Sequence, residues 1–371
     1  MDYKRLLHNE RSLRSLDIAL SHACVSALAP PLFQNLSSLK VLNLTILDQR
    51  AYLSLPGSFP TLPLSLEQLC IIVPRGLHAW TTADFSRSMI GACISLPRLR
   101  TLDLRENMPG VLDMLSRCVN FVALKSLALW HLEQIASFLY QLKNNFKNSK
   151  PQLTYLAVSE PRSAMSTTTD PGFLQSLNAF LDCFQGLAHL HVCTNGDFAG
   201  SLRSFIRHGQ TLKTLGLFAM SGPLPLTCPH IEQLGVQFPP LTLAELPARD
   251  GDYRAYIDSI QCLSKIKTLY VLTLPDGTSI FHHNLTYSTT LKTIDTYLKE
   301  TTEYIFAYFA AKKNCTNLNI ITIGTHEPRQ NIMRIGALGT AEVVIGKRHF
   351  MKATYTDLLG QNVSTAVPIH S

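Results

Sequence analysis

The sequence predicts an α/β fold: a right-handed solenoid, or horseshoe, with parallel strands on its concave face and helices on its convex face. Three observations predict it. A six-residue pattern, apolar-x-x-apolar-x-apolar, returns along most of the 371 residues. Its copies begin 19 to 35 residues apart, the length of one strand-and-return unit. Apolar stripes at helical spacing fill several of the intervals.

The strand pattern comes first. Its copies are Leu13/Leu16/Ile18, Leu39/Leu42/Leu44, Leu66/Leu69/Ile71, Leu99/Leu102/Leu104, Leu124/Leu127/Leu129 and Leu153/Leu156/Val158. The series continues with Leu187/Leu190/Val192, Leu212/Leu215/Leu217, Ile231/Leu234/Val236 and Ile266/Leu269/Val271, with weaker copies at Leu291/Ile294/Thr296 and Leu318/Ile321/Ile323. In each copy the second and third apolar residues alternate with other types, the period of a strand buried on one face. One copy cannot bury its apolar face alone. Stacked copies bury a continuous core, so stability comes from neighbours.

The return segments read as helices. Ile135, Phe138, Leu139, Leu142 and Phe146 fall at helical spacing, as do Phe173, Leu177, Phe180, Leu181 and Phe184. Shorter stripes are Leu202/Phe205/Ile206 and Ile305/Phe306/Phe309. All are read as core. Two inserts read as loops: the Ser/Thr/Pro-rich 161–172 and the Pro-rich, then acidic, 238–253. The pattern divides the chain into a lead-in over residues 1–12, a solenoid of about 12 irregular repeats over 13–325, and a C-terminal cap and tail over 326–371. Ala341–Ile345 and His349–Tyr355 flank Gly346-Lys347-Arg348 and read as a terminal hairpin, with a loose tail from Asn362.

These copies resemble the leucine-rich-repeat family. More narrowly, they are similar to the irregular, helix-backed repeats of fungal F-box proteins and to related cysteine-containing repeats. In the family an Asn stands three residues after the third apolar position; here Asn107 and Asn195 do, while Ser21, Pro74, Leu132 and Pro161 stand there elsewhere. Cys315 matches the Cys that the cysteine-containing subgroup places three residues before the first Leu. The F-box resemblance implies a substrate receptor of a cullin-type ubiquitin ligase, the repeats choosing the substrate. The first repeat starts within a dozen residues of Met1, so no F-box is seen, and an adaptor contact is expected only if one lies upstream.

Composition bounds the rest. Charged residues are 16% and hydrophobic ones 46%, which suits a large core and excludes a disordered chain. The formal charge of +7 permits an acidic partner and does not demand nucleic acid. Nine cysteines without a close-spaced framework read as reduced thiols of an intracellular, cytoplasmic or nuclear protein. The first residues lack a signal-peptide run, no segment reads as membrane-spanning, and the Asn-x-Ser/Thr sites read as chance matches.

On the strands, residues between and beside the apolar positions face the concave side. They are Asp103, Arg105, Trp130, Tyr155, His189, His191, Phe218, Gln237 and Tyr270. Aromatic and Arg side chains of this kind dominate protein interfaces, so this face is the expected site for a protein partner. His189, His191 and Cys193 alternate along one strand, but neighbours two apart lie about 7 Å from each other, too wide for one ion. No metal is expected there or at His282-His283, and no cofactor is expected anywhere. Arg14, Lys40, Arg100, Lys125, Lys213, Lys267 and Lys292 each follow the first apolar residue of a copy. Stacked, they form a row read as a solvated edge, with an acidic partner or RNA as the disfavoured reading. No Gly-rich phosphate loop, nucleophile elbow or metalloprotease helix is present, so the chain reads as no enzyme. The expected function is a protein-binding scaffold; a stand-alone regulator or assembly platform is the alternative.

Overall fold

The computed structural model describes residues 12–21, 36–52, 62–73, 96–106, 111–147, 149–160, 171–194, 204–218, 228–236, 257–258, 260, 263–271, 287–311, 317–323, 332–335, 341–344, 348–356 and 362–369. The architecture is α/β with mostly parallel strands. The chain divides into two compact units, Met1–His189 and Leu190–Ser371. The division falls inside a strand, β7 (His189–Cys193).

In the first unit β1 (Ser15–Leu20), β2 (Val41–Ile46), β3 (Gln68–Ile72), β4 (Thr101–Arg105), β5 (Ser126–Trp130) and β6 (Tyr155–Ser159) pair in chain order, each parallel to the next. The register aligns Leu16, Leu42, Leu69, Leu102, Leu127 and Leu156 in one row, and Ile18, Leu44, Ile71, Leu104, Leu129 and Val158 in another. All but Leu16 are buried. A slip of one residue would turn every one of these side chains out of the core, which is why the pattern fixes the register.

The residue before each strand carries a second ladder. The Arg14 carbonyl accepts from Lys40 and Val41, Lys40 from Glu67 and Gln68, Glu67 from Arg100 and Thr101, Arg100 from Lys125 and Ser126, and Lys125 from Thr154 and Tyr155, at 2.8 to 3.0 Å. Each carbonyl thus holds two amides of the next copy and fixes the strand starts into an ordered rim.

Helices α1 (Val111–Cys118), α2 (Ile135–Phe146) and α3 (Pro171–Leu181) cover the core in this unit. All five predicted apolar positions of α2 are buried. Phe146 meets Phe180 at 5.2 Å and Phe184 at 5.8 Å, joining α2 to the end of α3. The predicted 161–172 insert ends earlier than expected: Pro171 opens α3, where proline's fixed φ suits the first helical turn. Residues 161–170, and the 238–253 insert, lie outside the described residues.

In the second unit β8 (Thr214–Phe218), β9 (Gln233–Val236), β10 (Thr268–Val271) and β11 (Ile320–Ile323) follow in parallel order. Leu215, Leu234, Leu269 and Ile321 share one buried row. Four expectations fail here. Leu291, Ile294 and Thr296 form no strand; they lie in α4 (Tyr287–Ala311). The predicted terminal hairpin does not form: β13 (Ala341–Val344) pairs with β12 (Ile332–Ile335), while β14 (Arg348–Thr356) pairs antiparallel with β11. The tail is not loose, because β15 (Asn362–Ile369) pairs along the length of β14. Ile206, assigned to the core, sits exposed in a 3-10 segment (Ser204–His208) that buries Phe205 instead. Three residues per turn cannot keep adjacent Phe205 and Ile206 on one buried face.

Candidate partner-binding surface

Alternation turns a second set of strand residues to the face opposite the buried rows, called here the open face; in the first unit most of those described are half-buried or exposed. In the first unit this open face has three register rows. One holds Gln68, Thr101, Ser126 and Tyr155; the next holds Asp17, Asn43, Cys70, Asp103, Ala128 and Ala157; the third holds Thr45, Ile72, Arg105 and Trp130.

Asp103 and Arg105 share this face of β4, as the alternation requires. Arg105 Nη2 donates to Asp103 Oδ2 at 2.7 Å and Nε to Oδ1 at 3.1 Å. The pair is on the surface, so its contribution to stability is of order 0–1 kcal/mol. It ties the guanidinium to the carboxylate on the same face of β4, and the register partner of Arg105 on β5 is Trp130. The bond from Asp103 is also the main reason the Arg105 pKa is raised. Cys70 stands directly opposite Asp103; burial first, then that carboxylate, pushes its thiol up to about 11. It is therefore protonated at neutral pH and a poor nucleophile.

Tyr155 is half-buried, and burial with a contribution from Asp103 raises its phenol above the ordinary range. Its ring lies 6.1 Å from that of His189, tilted by 39°. The floor beside these rings is made of small residues: Ala128 and Ala157 are both buried on this face. Asp103, Arg105, Trp130, Tyr155 and His189 thus occupy the strands β4 to β7 of the first unit, on or beside a floor of alanines.

The second unit repeats the arrangement with glycines. Gly216, Gly235 and Tyr270 share one register row, with Thr322 beyond. The His191 ring lies over Gly216 in the space a Cβ would fill. Tyr270 is half-exposed beside Gly235. Phe218 closes β8, but nothing is described of its side chain, and Gln237 lies outside the described residues, as does His282-His283.

These small positions were not among the predicted site residues. The signal was in the sequence: in five of the twelve aligned copies the residue between the second and third apolar positions is small, as Cys70, Ala128, Ala157, Gly216 and Gly235. A serine–histidine contact was missed too. Ser159 Oγ lies 2.9 Å from His131 Nδ1 and accepts the His131 backbone N–H at 2.5 Å. Both residues are buried, Ser159 completely. The contact clasps the ends of β5 and β6, and it holds His131 at a φ of 55°, a conformation non-glycine residues rarely adopt.

The expected row of cations is a mixed one. Arg14, Lys40, Arg100 and Lys125 occupy the rim of the first unit, with Glu67 among them; Lys213 and Lys267 occupy that of the second, with Glu232 between. Lys40 bonds Glu67 at 2.7 Å and Lys267 bonds Glu232 at 2.8 Å. Those bonds are the main cause holding both carboxyls below their usual range. Lys292 is not on the rim at all, since it lies in α4. Among the described residues no three His, Cys, Asp or Glu side chains are placed to hold a metal ion, and no helix is long and apolar enough to cross a membrane.

No protein-family model matches the chain, and no curated protein does.

Proposed function

We propose that the chain is a non-enzymatic protein-binding scaffold of the leucine-rich-repeat kind, with the open strand face as its partner surface. One observation carries this reading: Arg105, Trp130, Tyr155 and His189 stand together on one sheet face of the first unit, on or beside a floor of small residues. Planar aromatic and Arg side chains supply large contact areas at interfaces. The matching register of the buried rows supports the solenoid architecture.

The test is affinity co-purification with wild-type bait and two single variants, Trp130→Ala and Tyr270→Ala. A partner recovered by wild type and weakened by about 2 kcal/mol, roughly thirtyfold in affinity, with either variant supports the reading. Circular dichroism should be unchanged, because neither side chain belongs to the buried rows. Recovery unaffected by both substitutions would defeat it.

The narrower form of the proposal rests on the F-box resemblance: the partner is a substrate, and the ligase adaptor is engaged by a separate helical module. Residues 1–371 alone are then expected to bind substrate and not adaptor. A stable adaptor complex formed by these residues on co-expression would contradict that form and leave a stand-alone regulator or assembly platform.

A further inference from the structure

The second unit's last strand, β15, pairs with β14 on one edge only among the described residues. Hydrogen bonding identifies what lies on the other edge. Lys352 of β14 donates its N–H away from β15, to the Asn319 carbonyl at 2.9 Å. Lys352 stands opposite Ala366. That pair is therefore a non-bonded one, and antiparallel alternation turns the N–H and C=O of Ala366 outward. Ser364, opposite Thr354, and Pro368, opposite Phe350, share its parity and also face outward.

An outward strand edge is a template for strand addition. The surface beside this one is sticky. Met351 is 48% exposed, Val367 40% and Ile369 41%, and Met351 and Val367 are register partners. Yet the edge is obstructed twice. Pro368 has no N–H to offer, and its ring stands where a partner carbonyl would approach. At Ala366 the amide is already covered: Glu303 Oε1, reaching from α4, accepts it at 3.5 Å. The Thr365 hydroxyl donates to the same oxygen at 2.6 Å and fixes the carboxylate in place. A carboxylate there also repels the carbonyl oxygens of an incoming strand.

We propose that Glu303 and Pro368 form an edge guard, closing the outer edge of β15 so that a second copy of this chain cannot add its own strand there.

The test is light scattering on the full chain and on the double variant Glu303→Ala/Pro368→Val. Wild type should stay at the 41.3 kDa of one chain. The double variant should move to at least twice that mass. Adding Ser364→Pro, which puts a second proline on the outward edge, should return it to one chain. A double variant that stays at one-chain mass would overturn the proposal. So would association that Ser364→Pro does not reverse, or a wild-type chain already associated through this edge. Should the double variant lose its circular dichroism, amide exchange of Ala366 in Glu303→Ala decides. Exchange at least about tenfold faster than wild type supports the guard, and an unchanged rate refutes it.

Discussion

Small side chains decide where the large ones lie on the open faces. A Cβ at residue 216 would collide with the His191 ring. Gly216→Ala is therefore expected to displace that ring and cost about 1–3 kcal/mol, the range for overpacking; denaturant titration reads the cost and the His191 ring resonances read the displacement. Ser159→Ala strips the acceptor from the buried His131 N–H and is expected to cost a similar 1–3 kcal/mol, the penalty of an unsatisfied buried donor. Cys70 gives a pH prediction with a definite sign. Its folded-state pKa of about 11 lies above the ordinary 9.0, so the folded state favours the protonated thiol. The stability this contributes is complete below about pH 9 and is lost as pH rises toward 11. Tyr52, buried in the core and raised beyond the ordinary tyrosine range by burial with a further push from Glu133, acts in the same direction at higher pH. Unfolding midpoints should fall from pH 9 upward, and by less in Cys70→Ala. An equal fall in that variant would mean Cys70 is not one of the groups responsible.

Elements were legible where one periodicity had no rival. Along β4 and β5 only period two fits Leu102/Leu104 and Leu127/Leu129, and these residues are buried in register. Leu102→Ala or Leu127→Ala is expected to cost about 2–5 kcal/mol, as for other buried leucines; an unchanged melting temperature would contradict the register. The copy at Leu291 failed because Leu291 and Ile294 are three apart, a spacing that suits a helix as well as a strand's lead-in. The residues downstream break the tie. Residues 287–311 contain no Gly or Pro, and Leu298, Ile305, Phe306 and Phe309 continue the helical stripe into the core. The hairpin failed for another reason: turn residues at 346–348 mark a change of direction without naming the partner. Strand β14 found the exposed edge of β11, and β13 paired with β12. The candidate site was legible by face, since alternation put Asp103, Arg105, Trp130 and Tyr155 on the open side. It was not legible by contact: the Arg105–Asp103 fork depends on rotamers, and the alanine and glycine floor became visible only when the copies were aligned.

At the scale of the whole molecule, charge separates the candidate partners. The formal charge of +7 would suit RNA if the cations formed an unbroken track. They do not. Glu67 stands in the rim of the first unit and Glu232 in that of the second, each bonded to a lysine that would otherwise meet a phosphate. A nucleic-acid backbone crossing either rim would bring its phosphates against a carboxylate. Among the described residues Trp130 ends β5, away from the rim, while Tyr155 opens β6 beside it, so the rings do not follow the rims as a continuous stacking track. On the proposed reading, what the rims offer is diffuse attraction between a basic protein and a polyanion, which salt screens within about 8–10 Å. Partner contacts of the kind proposed through Trp130 and Tyr155 would bury apolar rings and be screened little. Fluorescence polarisation with labelled oligouridine should therefore show weak binding at about 50 mM salt that is lost by about 200 mM, while the protein partner recovered through the open face stays bound across that range. Oligouridine retained at the higher salt, and released by Trp130→Ala, would make the open face a nucleic-acid site and overturn the scaffold reading.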